Sequence, residues 1–137
     1  MITIRKQEIV KLEDVLHLYQ AVGWTNYTNQ PQMLEQALSH SLAIYLALDG
    51  DTVVGLIRLV GDGFSSVFVQ DLIVLPSYQR QGIGGSLMKE ALEDFKETYQ
   101  VQLATEQTEK NVGFYRSMGF ETLSTYDCTG MIWVNRE

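Results

Sequence analysis

The sequence predicts an α/β fold built on one mixed sheet, with both antiparallel and parallel strands. Strand-like and helix-like apolar periods alternate along the 137 residues. Three strand-like runs in the middle of the chain are joined by short turns, which makes them antiparallel neighbours. A later run follows a helix, and a right-handed crossover returns it parallel to the third run. The expected order is β-α-α-β-β-β-α-β-α-β-β, in a single domain over residues 1–137.

The first third of the chain predicts one strand and two helices. Residues 2–5 alternate apolar and polar side chains, as in a strand. Helical spacing follows and ends near Gly23, and Pro31 suits the first turn of a second helix. The connection between these helices has the composition of a loop and contains two large aromatic residues, Trp24 and Tyr27.

The remaining elements follow the same reasoning. Strands are predicted for residues 43–48, 52–60 and 66–74, separated by glycine- and aspartate-rich turns. An amphipathic helix begins at a glycine cluster after the third of these strands. The chain is then expected to form a strand at 101–104, a helix at 109–118 and two closing strands at 120–126 and 131–134.

Composition excludes several classes of function. The formal charge of −7, without a basic run, disfavours nucleic-acid binding, because phosphate contacts need a basic face. Cys128 is the single cysteine, so an internal disulfide and a thiolate metal cluster are impossible, and we expect no metal. No apolar run reaches the length of a membrane span, and no secretory signal is recognisable. We therefore expect a cytoplasmic protein that does not bind membranes.

A glycine loop is the most informative local feature. A buried strand leads into a segment with Gly82, Gly84 and Gly85, and that segment opens a helix. Glycine lets the backbone approach a ligand closely, and the first amides of a helix lack internal partners and lie at the positive end of its dipole. Together these properties predict a phosphate site at the carboxyl end of the strand.

Two common phosphate motifs do not fit this loop. A Walker A loop requires a Gly-Lys-Ser/Thr sequence, which does not occur here. A dinucleotide fingerprint requires a small residue where Leu87 stands and an acid near Gln102, which has non-acidic neighbours. The remaining pattern is Gln79-Arg80-Gln81-Gly82-Ile83-Gly84, following Val74-Leu75-Pro76.

This pattern resembles the pyrophosphate loop of the GCN5-related N-acetyltransferase superfamily. A second segment, Asn111-Val112-Gly113-Phe114-Tyr115-Arg116-Ser117-Met118-Gly119-Phe120, is similar to another signature of the same superfamily. Asn111 and Tyr115 are four residues apart, so one helix presents both on the same face. The resemblance covers essentially the whole chain, and it implies the superfamily's fold.

The resemblance also implies acetyl-coenzyme A as cosubstrate and identifies the residues that would bind it. Its pyrophosphate would lie on the backbone amides of Gln81 to Gly85, and its pantetheine arm would pair with β-strand backbone like an added strand. Asn111 would hydrogen-bond the pantetheine, and Phe114 would pack near it. The full cofactor set comprises Leu72, Ile73, Val74, Gln79, Arg80, Gln81, Gly82, Ile83, Gly84, Gly85, Asn111, Phe114 and Tyr115.

In the same resemblance, acetyl transfer occurs by direct attack of a primary amine of a small molecule or peptide. Tyr115 would be the general acid for the departing thiolate. For the general base the chain offers Asp71, against the alternatives that Asp71 is structural or that the base acts through water. Trp24 and Tyr27 are candidates for the substrate pocket, or for plugs over the sheet.

Two other functions remain compatible with the sequence. One is a non-catalytic module that binds or senses coenzyme A. The other is a toxin-like acetyltransferase acting on charged tRNA, which the acidic composition disfavours. The closing strands could dock against a second copy of the chain to form a homodimer.

Overall fold

The computed structural model describes residues 1–135. Contacts between residues group them into two compact units, one from Met1 to Ala104 and one from Thr105 onward. Each unit is described by itself, and the expectation of a single domain stays a prediction.

The first unit contains five strands and four helices. The strands are β1 (Ile2–Gln7), β2 (Ala43–Asp49), β3 (Thr52–Gly61), β4 (Ser66–Val74) and β5 (Gln100–Leu103). The helices are α1 (Leu12–Ala21), α2 (Thr25–Thr28), α3 (Pro31–Ser39) and α4 (Ile83–Asp94), with a 3₁₀ turn at Pro76–Tyr78. The segment predicted as a loop between the first helices therefore contains one short helical turn, α2.

The strands form one sheet in the order β1-β2-β3-β4-β5. The first four pair antiparallel, and β5 pairs parallel to β4. The predicted mixed α/β sheet is confirmed, including the antiparallel run of central strands and the parallel return after α4.

Helices cover both faces of this sheet. On one face, side chains of α1 and α3, including Leu18 and Leu34, pack against Leu46 and Leu56. On the other face, a Cβ added at Gly55 would meet the side chain of Leu87 on α4 at 3.3 Å. Strands β2 and β3 are consequently buried on both faces, which explains why their sequences are nearly continuous apolar runs.

The second unit contains helix α5 (Glu109–Ser117) and a 3₁₀ turn at Leu123–Tyr126. The Thr108 hydroxyl caps α5 by accepting a hydrogen bond from the Asn111 backbone amide at 3.1 Å. On α5, Tyr115 packs edge-to-face against both Phe114 and Phe120. The predicted helix at 109–118 is confirmed within one residue.

The two predicted closing strands are wrong. Residues 123–126 form the 3₁₀ turn, and 131–134 have no regular structure. Cys128 and Asp127 donate their backbone amides to the carbonyls of Leu123 and Ser124, so this backbone is satisfied locally. Met131 and Trp133 are 93% and 85% exposed. Apolar and β-branched side chains favour a pleated surface, but a strand also needs a neighbouring backbone to pair with.

None of the helices in residues 1–135 combines the length and hydrophobicity needed to traverse a bilayer; the longest, α4, has 12 residues.

Candidate functional site

Strand β4 has an unpaired edge at its carboxyl end. Its parallel ladder with β5 joins Ser66–Val69 to Gln100–Leu103 and stops there. Beyond Val69, β4 continues to Val74 while pairing only with β3 among the residues that the structure describes. Because β5 itself ends at Leu103, residues 70–74 present a free backbone edge to the opening beyond the end of β5.

Backbone alternation decides which amides face this opening. The amide of Leu75 donates to the carbonyl of Val54 at 2.9 Å, which directs it toward β3. Because successive residues of a strand point their backbone groups to opposite edges, Ile73 also faces β3, whereas Leu72 and Val74 face the opening. The carbonyl of Val74 accepts a hydrogen bond from Gln79 Nε2 at 3.1 Å.

A β-bulge lies where β4 leaves β5. Asp71 is opposite Arg58 and Val69 is opposite Leu59, so Gln70 is an extra residue without a partner on β3. Bulges redirect side chains and end pairing, and they are common beside active sites. Gln70 is exposed, and its Nε2 donates to the hydroxyl of Tyr27 at 3.4 Å.

The glycine loop leads from the free edge into α4. Gly82 is the N-cap residue, with φ = 80°, and no side chain caps the helix. A Cβ added at Gly82 would meet no atom within 4 Å, so no other part of the described chain packs against that side of Gly82. Arg80 also adopts a left-handed conformation, with φ = 66°, which is unfavourable for a residue with a Cβ. An uncapped helix N-terminus of this kind can hold a phosphate.

Asp71 is at the centre of a buried polar network. Its Oδ2 accepts hydrogen bonds from Tyr19 Oη at 2.8 Å and from Arg58 Nε at 2.7 Å, and its Oδ1 accepts one from Tyr27 Oη at 3.0 Å. Asp71 and Arg58 are 2% and 4% exposed. Arg58 also donates to Ser41 Oγ and to Tyr27 Oη, each at 3.2 Å. Three donors, one of them the cationic Arg58, occupy this carboxylate, which supports a structural role for Asp71.

The two phenols of this network are held protonated. Burial first, and the nearby negative charge of Asp71 second, raise the pKa values of Tyr19 and Tyr27 above the usual range of tyrosine. At neutral pH both hydroxyls therefore act as donors to Asp71.

The predicted substrate aromatics contact this network. Trp24 and Tyr27 are half-buried, and both pack against Tyr19, with ring centroids 6.1 and 5.2 Å away. Tyr27 joins the aromatic group to Asp71, Arg58 and Gln70 through its hydroxyl. The packing of Trp24 fits an aromatic side chain that covers the sheet. The Tyr27 hydroxyl, by contrast, contacts the exposed Gln70, as a residue of a substrate pocket could.

In the second unit, Asn111 and Tyr115 share a contact with Thr105. Asn111 Nδ2 donates to Thr105 Oγ1 at 3.1 Å. Burial raises the pKa of the Tyr115 phenol above its usual value, and a hydrogen bond with Thr105 opposes part of that effect. The spacing of four residues indeed places both side chains on one face of α5.

Sequence reasoning missed Arg58, Tyr19 and Ser41. Arg58 stands alone among apolar residues in β3, as Asp71 is the single charged residue in β4. Buried charges are rare unless they are paired. One isolated charge in each of two neighbouring strands could therefore have indicated a buried ion pair. Tyr19 carried no such signal, because its ring fits the apolar stripe of α1.

Residues 40–122 match the family model described as an acetyltransferase (GNAT) domain. A structure of a GNAT-family acetyltransferase from Streptococcus pneumoniae is 88% identical, with a TM-score of 0.92 over 100% of both chains. A chloroplastic GCN5-related N-acetyltransferase 1 of Arabidopsis thaliana is 28% identical over 97% of this chain and 67% of its own length. A PaiA N-acetyltransferase from Thermoplasma acidophilum, solved with coenzyme A, is 20% identical with a TM-score of 0.66, covering 87% of this chain and 90% of that one.

Proposed function

The chain belongs to the GNAT acetyltransferase family, and from that premise we propose that it transfers the acetyl group of acetyl-coenzyme A to a primary amine of a small molecule or peptide. The observation that carries the proposal is the free edge of β4 leading, through the 3₁₀ turn and the glycine loop, to the uncapped N-terminus of α4. Such an edge suits an extended amide chain, and such a helix start suits a phosphate.

The backbone at this site fits the cosubstrate. The first amides of α4 and the loop from Gln81 to Gly85 would hold the pyrophosphate, with the Arg80 guanidinium beside it. The amides of Leu72 and Val74 would pair with the pantetheine arm, while the backbone of Ile73 is directed to β3. The Gln79 side chain would exchange its bond to the Val74 carbonyl for one to the ligand. The related structure that contains coenzyme A supports this ligand class.

Acetyl-coenzyme A supplies an activated thioester, so this chain needs no nucleophile of its own. We propose that a fixed backbone amide of β4 stabilises the carbonyl oxyanion. The Tyr115 phenol would protonate the departing sulfur, Asn111 would bind the pantetheine amides, and Phe114 would pack beside them. The contacts of Asp71 support its assignment as a structural carboxylate that holds Tyr27 and Arg58 in place.

Acetyl-coenzyme A is expected to raise the thermal stability of the wild-type chain. At about 100 times the dissociation constant, binding to the folded state alone adds about 2.7 kcal/mol to the free energy of unfolding. Gly84→Glu should abolish this shift, because a carboxylate at the second residue of α4 repels the pyrophosphate while favouring the helix dipole. Differential scanning fluorimetry measures both effects.

Gln32→Glu is the matched control, since Gln32 is the exposed second residue of α3. It should retain the full shift. An equal shift in the Gly84→Glu variant would contradict the glycine-loop assignment. Thiol release in the presence of amines then tests catalysis: stabilisation without thiol release from any amine would indicate a binding module instead.

Arg80→Gly should change stability and binding in opposite directions. Glycine adopts φ = 66° without a Cβ clash, so the free energy of unfolding should rise by about 1 kcal/mol. Loss of the guanidinium should weaken acetyl-coenzyme A binding at the same time. Denaturant unfolding and calorimetric titration measure the two effects. Arg80→Lys keeps the charge and the Cβ, so it should retain most of the affinity and gain no stability. Unchanged affinity in Arg80→Gly would exclude a role for Arg80 in binding.

A further inference from the structure

We propose that the acceptor reaches this site as a neutral amine of low basicity, such as the α-amino group of a peptide or amino acid, and that the side-chain amide oxygen of Gln70 receives it. The inference rests on the proposed acetyl transfer and specifies its substrate class. Three observations support it: the position of Gln70, the hydrogen bonds that already occupy the carboxylate of Asp71, and the charge states of the groups around these two residues.

Gln70 lies where the reacting end of the cosubstrate is expected. An arm anchored on α4 and paired with Val74 and Leu72 must extend along β4 toward the bulge. Gln70 is four positions before Val74, a distance of about 13 Å at the usual rise of a strand. This distance suits a chain containing two amide groups, so its terminal thioester falls near Gln70, next to the last residue that pairs with β5.

The side chain of Gln70 is oriented for an amine. Its Nε2 donates to the Tyr27 hydroxyl at 3.4 Å, and Tyr27 is itself fixed by Asp71 and Arg58. This contact uses the donor end of the amide and leaves the oxygen as an acceptor. An amide oxygen can accept a hydrogen bond from an N–H group, but it cannot remove a proton from an ammonium ion at neutral pH.

In the first unit, the ionisable groups around Gln70 and Asp71 do not supply a base. Asp71 is the single ionisable residue of β4, and its oxygens are occupied by Arg58, Tyr19 and Tyr27. The two tyrosines are neutral donors at physiological pH, and Arg58 is a buried cation. The paired residues of β5, Gln100–Leu103, contain no ionisable side chain.

Bonds and protons balance in acetyl transfer without a base on β4. The nitrogen lone pair forms the C–N bond, the C–S bond breaks, and the sulfur leaves with the electron pair and takes the phenolic proton of Tyr115. The proton that the nitrogen then loses to water is balanced by the proton that Tyr115 regains from water. Under this proposal no group of the first unit deprotonates the amine, which therefore arrives neutral. At pH 7.5 about a third of an α-amine with pKa near 7.8 is neutral, against about 0.1% of a lysine side chain with pKa near 10.4.

The test compares two peptides of equal length, one with a free α-amino group and one with a blocked terminus and a single lysine. For wild type, kcat/KM on total amine should level off near pH 8 for the first peptide. For the second it should keep rising about tenfold per pH unit up to pH 9, in step with the neutral fraction. At pH 7.5 the first peptide should be favoured by more than tenfold. A common inflection for both peptides would reveal a protein base and overturn the proposal.

Gln70→Glu provides the second readout, because it places a carboxylate where the amide receives the amine. It should raise kcat/KM for the lysine peptide at pH 7.5 by at least about tenfold and flatten its pH profile. Gln32→Glu, with the same chemical change on the exposed face of α3, should behave as wild type. Wild-type pH profiles in a Gln70→Glu variant that still binds acetyl-coenzyme A would overturn the placement of Gln70. Stabilisation by acetyl-coenzyme A with no thiol release from either peptide would instead refute the proposed function and this inference with it.

Discussion

Asp71→Asn is expected to lower the free energy of unfolding by about 3–5 kcal/mol, because it leaves the buried Arg58 cation without its partner. The amide that replaces the carboxylate also presents hydrogens to Arg58, Tyr19 or Tyr27, all of which donate to Asp71. A loss of this size is a large part of the 5–15 kcal/mol or so that stabilises a typical domain. Urea unfolding followed by circular dichroism measures it.

Two comparisons make this result diagnostic. Glu93→Gln removes an exposed ion pair with Lys96, whose side chains are 71% and 65% exposed, and should change stability by less than about 1 kcal/mol. Combining Asp71→Asn with Arg58→Met should cost less than the sum of the single changes, because the unpaired charge is gone. If Asp71→Asn lost acetyl transfer while keeping wild-type stability, Asp71 would be the general base after all.

Tyr115→Phe should lower kcat by about 10²–10⁴ while leaving acetyl-coenzyme A binding almost unchanged. The substitution removes the phenolic proton but keeps the ring that packs against Phe114 and Phe120. Steady-state kinetics on a reactive amine, combined with calorimetric titration of acetyl-coenzyme A, separates the two effects. Tyr126→Phe makes the same change at a residue 69% exposed and should have no effect.

The pH dependence of the Tyr115 step follows from its environment. The acid form is the active form, and burial raises the pKa of this phenol above 10, the usual value for tyrosine. Deprotonation of Tyr115 should therefore lower kcat only above pH 10. This decrease should be absent in Tyr115→Phe. A kcat reduced by less than about tenfold in that variant would assign protonation of the sulfur to another group or to water.

Asp71→Asn and Tyr115→Phe are expected to change different measured quantities. Asp71 is buried among its own donors, so its loss should appear first in stability. Tyr115 makes its proposed contribution in the transition state, so its loss should appear in kcat. The opposite assignment, a catalytic Asp71 and a structural Tyr115, would exchange the two outcomes.

Much of the fold could be predicted from local pattern. Apolar period and turn composition identified the five strands of the sheet, the long helices and the parallel return after α4. The glycine loop and the segment from Asn111 to Phe120 identified the family, which the match over residues 40–122 confirms. These signals are readable because each depends on residues close together in the sequence: side-chain period, turn glycines and uncapped helix amides.

The tertiary structure decided the features that depend on distant partners. The closing segment, which has the composition of a strand, pairs its backbone within a local turn instead. Strand pairing with a one-residue offset produced the bulge at Gln70 and placed Arg58 opposite Asp71. Whether a carboxylate is a base or a structural anion depends on the donors that surround it, and those of Asp71 come from α1, α2 and β3. The sequence by itself determined the family and the position of the glycine loop, whereas only the packing of these elements decided the charge environment in which the acceptor amine would react.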